Sequence, residues 1–162
     1  MSTITPAKGT LSKVERQTTP VMVLAKTMLL RNMLLDMLRR LDFIQVRDAR
    51  TPQDAIAQIQ AIPPRLMLVQ HQLSDIDGGP TAVHFTASMR KRFKFPIIVI
   101  TPEKPPIDLI KDCSDAGVNH LVPLSCSAED LNRAINQTFM HDMLLMPRLM
   151  FMKEQRARGA MP

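Results

Sequence analysis

The sequence predicts an α/β fold: a five-stranded, doubly wound parallel sheet with helices on both faces. Three observations carry that prediction. Short apolar runs such as Leu66-Met67-Leu68-Val69 and Ile97-Ile98-Val99-Ile100 show no alternation, which suits strands buried on both faces. Between them lie stretches whose apolar residues recur at three and four, the period of a helix with one buried side. The two patterns alternate along the chain, and parallel strands need such crossover helices to connect them.

Each element has its own warrant. Residues 1–20 are rich in Ser, Thr, Pro and Lys without an apolar period, which predicts a flexible N-terminal tail with a short helical turn near Leu11–Arg16. Val21-Met22-Val23-Leu24 is the first strand, and Ala25-Lys26-Thr27 the turn after it. From Met28 to Leu41, Leu30, Met33, Leu34, Met37, Leu38 and Leu41 mark the buried side of a helix that Asp42 ends. Ile44-Gln45-Val46 alternates and predicts a short second strand. Thr51-Pro52-Gln53-Asp54 is a helix start, with a capping hydroxyl, Pro at the first helical position and an acid in the first turn. That helix runs to about Gln60, and Pro63-Pro64 separates it from the third strand at 65–70.

A helix over 80–92 follows, with Val83, Phe85 or Thr86, Met89 and Phe93 facing inward and Arg90-Lys91-Arg92 near its carboxyl end, where cations suit the helix dipole. Pro96 to Thr101 is the clearest strand, β-branched and opened by Pro. Pro105-Pro106 introduces a helix over 107–116 that ends on Gly117. His120-Leu121-Val122 is the fifth strand. Ser127, with Asp130 three residues on, caps a last helix whose inward residues are Leu131, Ala134, Ile135 and Thr138 or Phe139.

Composition narrows the function classes. The 162 residues are 45% apolar and 22% charged, with 13 Met and neither Trp nor Tyr. Met packs adaptably and recurs on surfaces that re-pack around partners. Cys113 and Cys126 are too few for a disulfide framework, so a reducing cytoplasm is expected. No apolar run is long enough to span a bilayer. The net charge of +6 is spread evenly over both termini and the middle, whereas a nucleic-acid footprint concentrates its charge.

Gln70 stands at the carboxyl end of a central strand, the edge where open α/β sheets bind ligands and do chemistry. A catalytic group is needed there, and the sequence offers an amide. A phosphate-binding loop for a nucleotide would want glycines after the first strand, and Ala25-Lys26-Thr27-Met28-Leu29 has none. His84, His120 and His141 show no metal-ligand spacing with the two Cys, so no metal and no cofactor is expected.

Several of these features occur together in order. The strand at 21–24 leads straight into a helix, and the loop 71–78 ends in Asp77-Gly78. A strand beginning at Pro96 ends in Thr101, and Ala116-Gly117 precedes the fifth strand. On these residues the stretch 21–139 resembles response-regulator receiver domains of the CheY-like type, whose sheet order is 2-1-3-4-5.

The resemblance implies a site at the strand tips, and most of its chemistry is missing here. The two acidic residues that hold Mg²⁺ fall on Ala25 and Lys26, and the phosphoaccepting aspartate falls on Gln70. The switching Ser or Thr is kept as Thr101. The lysine after the fifth strand falls on Leu124, and the proline after it on Ser125. Mg²⁺ is held through carboxylates, and phosphoryl transfer needs charge stabilisation that an amide without metal or lysine does not supply. An ammonium at Lys26 would oppose a divalent ion at 4 Å by about 8 kcal/mol in an effective dielectric near 20, before screening. Two readings of Lys26 stay open: a solvated or lightly hydrogen-bonded side chain, or an ammonium bonded to Gln70 or Thr101.

After Phe139 the chain continues as a Met-rich, basic C-terminal extension over 140–162. Met143, Leu144, Met146, Leu149, Met150 and Phe151 are its candidate docking residues, and Lys153, Arg156 and Arg158 follow. Pro147 interrupts any helix there. The extension folds back over its own domain, docks a second copy or another protein, or lies on a membrane surface, for which its basic charge falls beyond the apolar run rather than along its opposite face. The resemblance implies a phosphorylation-incompetent receiver that acts by protein–protein interaction in a two-component or phosphorelay pathway. It also implies docking through the face formed by 107–116, 120–123 and 127–139. The alternative is a nucleic-acid-associated regulator using its basic tails, for which the sequence offers no helix-turn-helix.

Overall fold

The computed structural model describes residues 10–141. Five parallel strands, β1 (Val21–Leu24), β2 (Val46–Ala49), β3 (Leu66–Gln70), β4 (Ile97–Thr101) and β5 (His120–Pro123), stand in the order β2-β1-β3-β4-β5. The helices are α1 (Lys13–Gln17), α2 (Met28–Arg40), α3 (Pro52–Ala61), α4 (Ala82–Met89), α5 (Ile107–Ala116) and α6 (Ala128–His141).

The sheet is buried on both faces because each strand feeds two cores by turns. Val21, Val23, Leu66, Leu68, Ile98, Ile100 and Val122 pack with α2 and α6 residues such as Leu34, Leu38, Leu131 and Ile135. Met22, Leu24, Met67, Val69, Ile97 and Val99 pack on the other side with Ile59 of α3, Phe85 and Met89 of α4, and Cys113 of α5. An unalternated apolar run is therefore what a two-layered helical cover requires.

Boundaries follow local chemistry. Thr51 accepts the Asp54 N–H at the start of α3, and Ser127 and Asp130 exchange reciprocal bonds at the start of α6. Gly117 ends α5 at φ +97°, and a Cβ there would sit 2.9 Å from Arg90 Cγ. Asp42 ends α2 with a positive φ of 73°, and the Phe43 N–H bonds back to the Leu38 carbonyl.

Three expectations need correction. The second strand begins at Val46, where the alternating triplet was expected to end; Ile44 points to solvent and Phe43 fills the core instead. A short edge strand half open to water carries too little apolar pattern to fix its register. The helix expected over 80–92 is shorter, Ala82–Met89, and buries Ala82 and both Phe85 and Thr86, with Val83 only partly covered.

The flexible tail expected over 1–20 is also revised from Leu11 onward. Leu11 is buried in the α2–α6 core, and Ser12 and Glu15 form a capping box on α1. Arg16 is buried: it donates to the Leu11 and Leu41 carbonyls and to the Asn132 and Asn136 side chains, with its guanidinium over the Phe43 ring. One anchor between polar residues leaves no period to read.

Candidate functional site

The site is built at the carboxyl edge of the sheet. β3 extends one residue beyond the Leu24–Val69 pair, so the turn after β1 passes the side chain of Gln70. Gln70 Oε1 accepts the N–H of Lys26 at 3.0 Å and that of Thr27 at 3.3 Å. Its Nε2 donates to Thr27 Oγ1 at 3.1 Å. Both halves of the carboxamide are thus used, and the amide orientation is the one that satisfies all three contacts. A neutral group ties β3 to the start of α2.

Of the two readings of Lys26, the bond of its ammonium to Gln70 or Thr101 does not form, and the side chain is hydrogen-bonded at the surface instead. Its ammonium reaches across to the β3–α4 loop, pairing with Asp75 at 2.6 Å and donating to the Ser74 carbonyl at 3.2 Å. Only its backbone N–H meets Gln70, and no bond to Thr101 forms among the described residues. The Asp75 side chain is 94% exposed, so this pair closes the loop over the strand tips and adds little stability in water. Ala25 is fully buried in the core and offers no ligand.

Arg31 is a residue the sequence reading passed over. It is buried, donates to the Ala25 carbonyl at 2.8 Å and pairs with Asp48 at 3.1 Å, bridging the ends of β1 and β2. Its helical position lies off the apolar stripe of α2, where position alone does not distinguish a solvated arginine from a bridging one. Thr27 was likewise read only as turn, and its hydroxyl shows its role only once Gln70 lies opposite.

Thr101 is buried, and its hydroxyl bonds the carbonyl of its own neighbour Pro102. It shares a sheet face with Ile97 and Val99, whereas Gln70 shares the opposite face with Leu66 and Leu68. Leu124 is 45% exposed beside the site, and its neighbour Ser125 donates to Glu103 at 2.6 Å. Thr27, Leu29, Leu30, Met33, Gln70 and Leu124 line a cleft of about 220 Å³. It is predominantly apolar, and no carboxylate lines it.

His71 follows Gln70 with a buried Nδ1 that has no hydrogen-bond partner among the described residues, and burial lowers its pKa. Burial pushes the Cys113 thiol up to about 11, with Asp112 adding to the shift, and raises that of Cys126. Among the described residues no group of three or more His, Cys, Asp or Glu could hold a metal ion, and no helix is long and apolar enough to cross a membrane. A second groove, about 300 Å³, lies between β5 and α6 on the face the resemblance implies for docking, lined by Leu121, Val122, Arg133 and Ala134 among others. The docking candidates Met143, Leu144, Met146, Leu149, Met150 and Phe151 lie outside the described residues.

Comparison with solved structures gives the class. The fold is that of CheY-like response regulator receiver domains. One similar structure is a CheY-like receiver domain protein from Methanospirillum hungatei JF-1, at 15% identity and a TM-score of 0.65, covering 75% of this chain and 93% of that one. Another is a DNA-binding response regulator of the LuxR family from Staphylococcus aureus, at 20% identity and TM-score 0.66, covering 75% and 98%. A third is a probable two-component system response regulator/GGDEF domain protein, at 22% identity and TM-score 0.68. It is covered over 55% of its length, against 80% of this chain. No family model matches the chain, and no curated protein does.

Proposed function

We propose that the protein is a receiver-type signalling module that does not take up phosphate and works in the cytoplasm by binding other proteins of a two-component pathway. The observation that carries this reading is the Gln70 carboxamide, which holds the Lys26 and Thr27 amides where a phosphoacceptor would need a free carboxylate. Lys26 and Ala25 bring no oxygen ligand to the same tip, and Leu124 brings no ammonium. The three groups that would bind the metal, accept the phosphoryl group and neutralise its charge are all replaced, so the loss is not a matter of one residue. What is left is a fixed surface, with the α5–β5–α6 face as the partner site that the resemblance suggests.

Incubating the protein with acetyl phosphate and Mg²⁺ and reading its intact mass tests the proposal. The unshifted mass is expected. A single added phosphoryl group on residues 70–78 would overturn it.

A further inference from the structure

We propose that the apolar cleft beside Gln70 is the seat of the chain's own C-terminal segment, with Leu149–Met152 in the cleft and Lys153, Arg156 and Arg158 on its acidic rim. The inference goes beyond the reading above and needs no partner protein; it rests on the composition of the strand-tip edge.

The cleft is open and greasy where a charged pocket would be polar. Leu29 is 80% exposed, Met28 and Leu124 are also exposed, and Leu30 and Met33 form the cleft's wall on α2. Ile76 in the β3–α4 loop and Ile107 at the start of α5, both at the same edge, are exposed as well. Clusters of large apolar residues at one edge mark contact surfaces more often than isolated ones do.

Charge selects the occupant. The five connections at this edge, each taken with the first turn of its helix, carry seven carboxylates against four cations. Lys26 pairs with Asp75, Arg31 with Asp48, and Asp130 with Arg133, which leaves five of the seven carboxylates against Arg50 and Lys104 at this edge. The carboxylates include Glu103, tied to Ser125 next to Leu124, and Glu129 and Asp130 at the start of α6. From Met143 onward the chain carries Arg148, Lys153, Arg156 and Arg158 against the single acid Glu154. An apolar run followed by bases thus meets an apolar cleft bounded by acids.

Length permits the return within one molecule. α6 starts beside Leu124 and its 14 residues carry the chain about 21 Å away. About seven extended residues at ~3.3 Å each cover that distance back. Residues 142–148, with Pro147 discouraging a continued helix, are seven, and Leu149 is the next.

The test uses the full chain with a nitroxide on Gln155→Cys, since Cys113 and Cys126 are buried and leave the new thiol as the reactive one. In ¹⁵N-labelled protein the amide signals of 27–30 and 124 are expected to lose at least half their intensity. The loss should be unchanged by tenfold dilution and abolished by Leu29→Glu, an exposed position that leaves the fold intact. Broadening that is absent, centred on another face, or indifferent to Leu29→Glu overturns the proposal. So does broadening seen only when spin-labelled unenriched chains are mixed with unlabelled ¹⁵N chains, which would assign the segment to a second copy. None of these outcomes depends on whether the protein accepts phosphate.

Discussion

Gln70 holds Lys26 by the backbone: its Oε1 accepts the Lys26 N–H at 3.0 Å while the ammonium of the same residue turns away to Asp75. One residue thereby contributes to two separate closures, one joining β3 to the β1–α2 turn and one pinning the β3–α4 loop. The first is neutral and partly shielded; the second is exposed.

The two closures differ in what they add to stability. Gln70→Ala leaves the Lys26 and Thr27 N–H groups to find water and should lower unfolding free energy by about 1–2 kcal/mol, at the usual net value of about 1 per bond. Asp75→Asn should change it by under about 0.5 kcal/mol, because exposed pairs contribute little. Urea unfolding of both variants measures the difference. Equal losses would show that the ammonium pair, not the carboxamide, holds the site.

Arg16 makes a different kind of closure, from the N-terminal helix to α2 and α6. Desolvation lowers its pKa, opposed by Asp42 and Glu15, yet the guanidinium keeps its charge at neutral pH. Arg16→Ala leaves the buried Leu11 carbonyl and the part-buried Leu41 carbonyl without the guanidinium, and Asn136 with the Leu11 N–H alone, and should cost about 2–4 kcal/mol. Hydrogen exchange at Leu11, whose N–H bonds Asn136, should rise to the level of an unprotected amide. Protection that survives the substitution would show that Leu11 burial alone holds the segment.

These contacts explain what was legible in the sequence. The sheet could be read because its strands are unbroken apolar runs, and α5 because Pro106 and Gly117 bracket it. Which residue types stand at the strand tips could also be read, since placing Gln70, Lys26 and Leu124 there needs only the order of the strands. The partners of Lys26 and Arg31 could not be: Lys26 reaches the β3–α4 loop, far along the chain, and Arg31 meets Asp48 only once α2 packs beside the end of β2. Leu11 and Arg16 escaped for a related reason: their sites are made by residues 120 and more positions away. The apolar cleft is likewise a product of assembly, since Leu29 and Leu124 are neighbours only in the fold.

His71 gives the fold an acid-sensitive point. Its folded pKa lies below the ordinary value near 6.5 because burial disfavours the charged ring. Between the folded pKa and about 6.5 the unfolded chain therefore binds more protons than the native one, so stability rises with pH across that window and is lost as pH falls through it. The melting temperature should drop on going from pH 7 to pH 5, and His71→Leu should flatten that slope. A slope unaltered by the substitution would place the sensitivity elsewhere.

The thiols offer a chemical check on packing. Cys113 is fully buried with its pKa near 11, and Cys126 is buried with a raised pKa, so very little thiolate is present or accessible at pH 8. Neither should react with a thiol reagent in the native protein over minutes, and both should react in urea. Rapid native labelling of Cys126 would mean that the β5–α6 connection opens.

On the proposed reading, replacing the amide alone should not bring in phosphate chemistry. Gln70→Asp supplies one carboxylate, but Lys26 still stands beside it and Leu124 supplies no counter-charge. Lys26→Asp and Leu124→Lys added to it would assemble two acids and an ammonium at the tip, while Ala25 is kept because a carboxylate in its fully buried place would be desolvated. Two carboxylates about 4 Å apart repel by about 4 kcal/mol at an effective dielectric near 20, so the triple variant should melt lower than the parent without metal and recover with Mg²⁺. The parent and Gln70→Asp should melt at temperatures independent of Mg²⁺. A metal-dependent rise in Gln70→Asp alone would show that one carboxylate is enough, and that Lys26 yields its place to the ion.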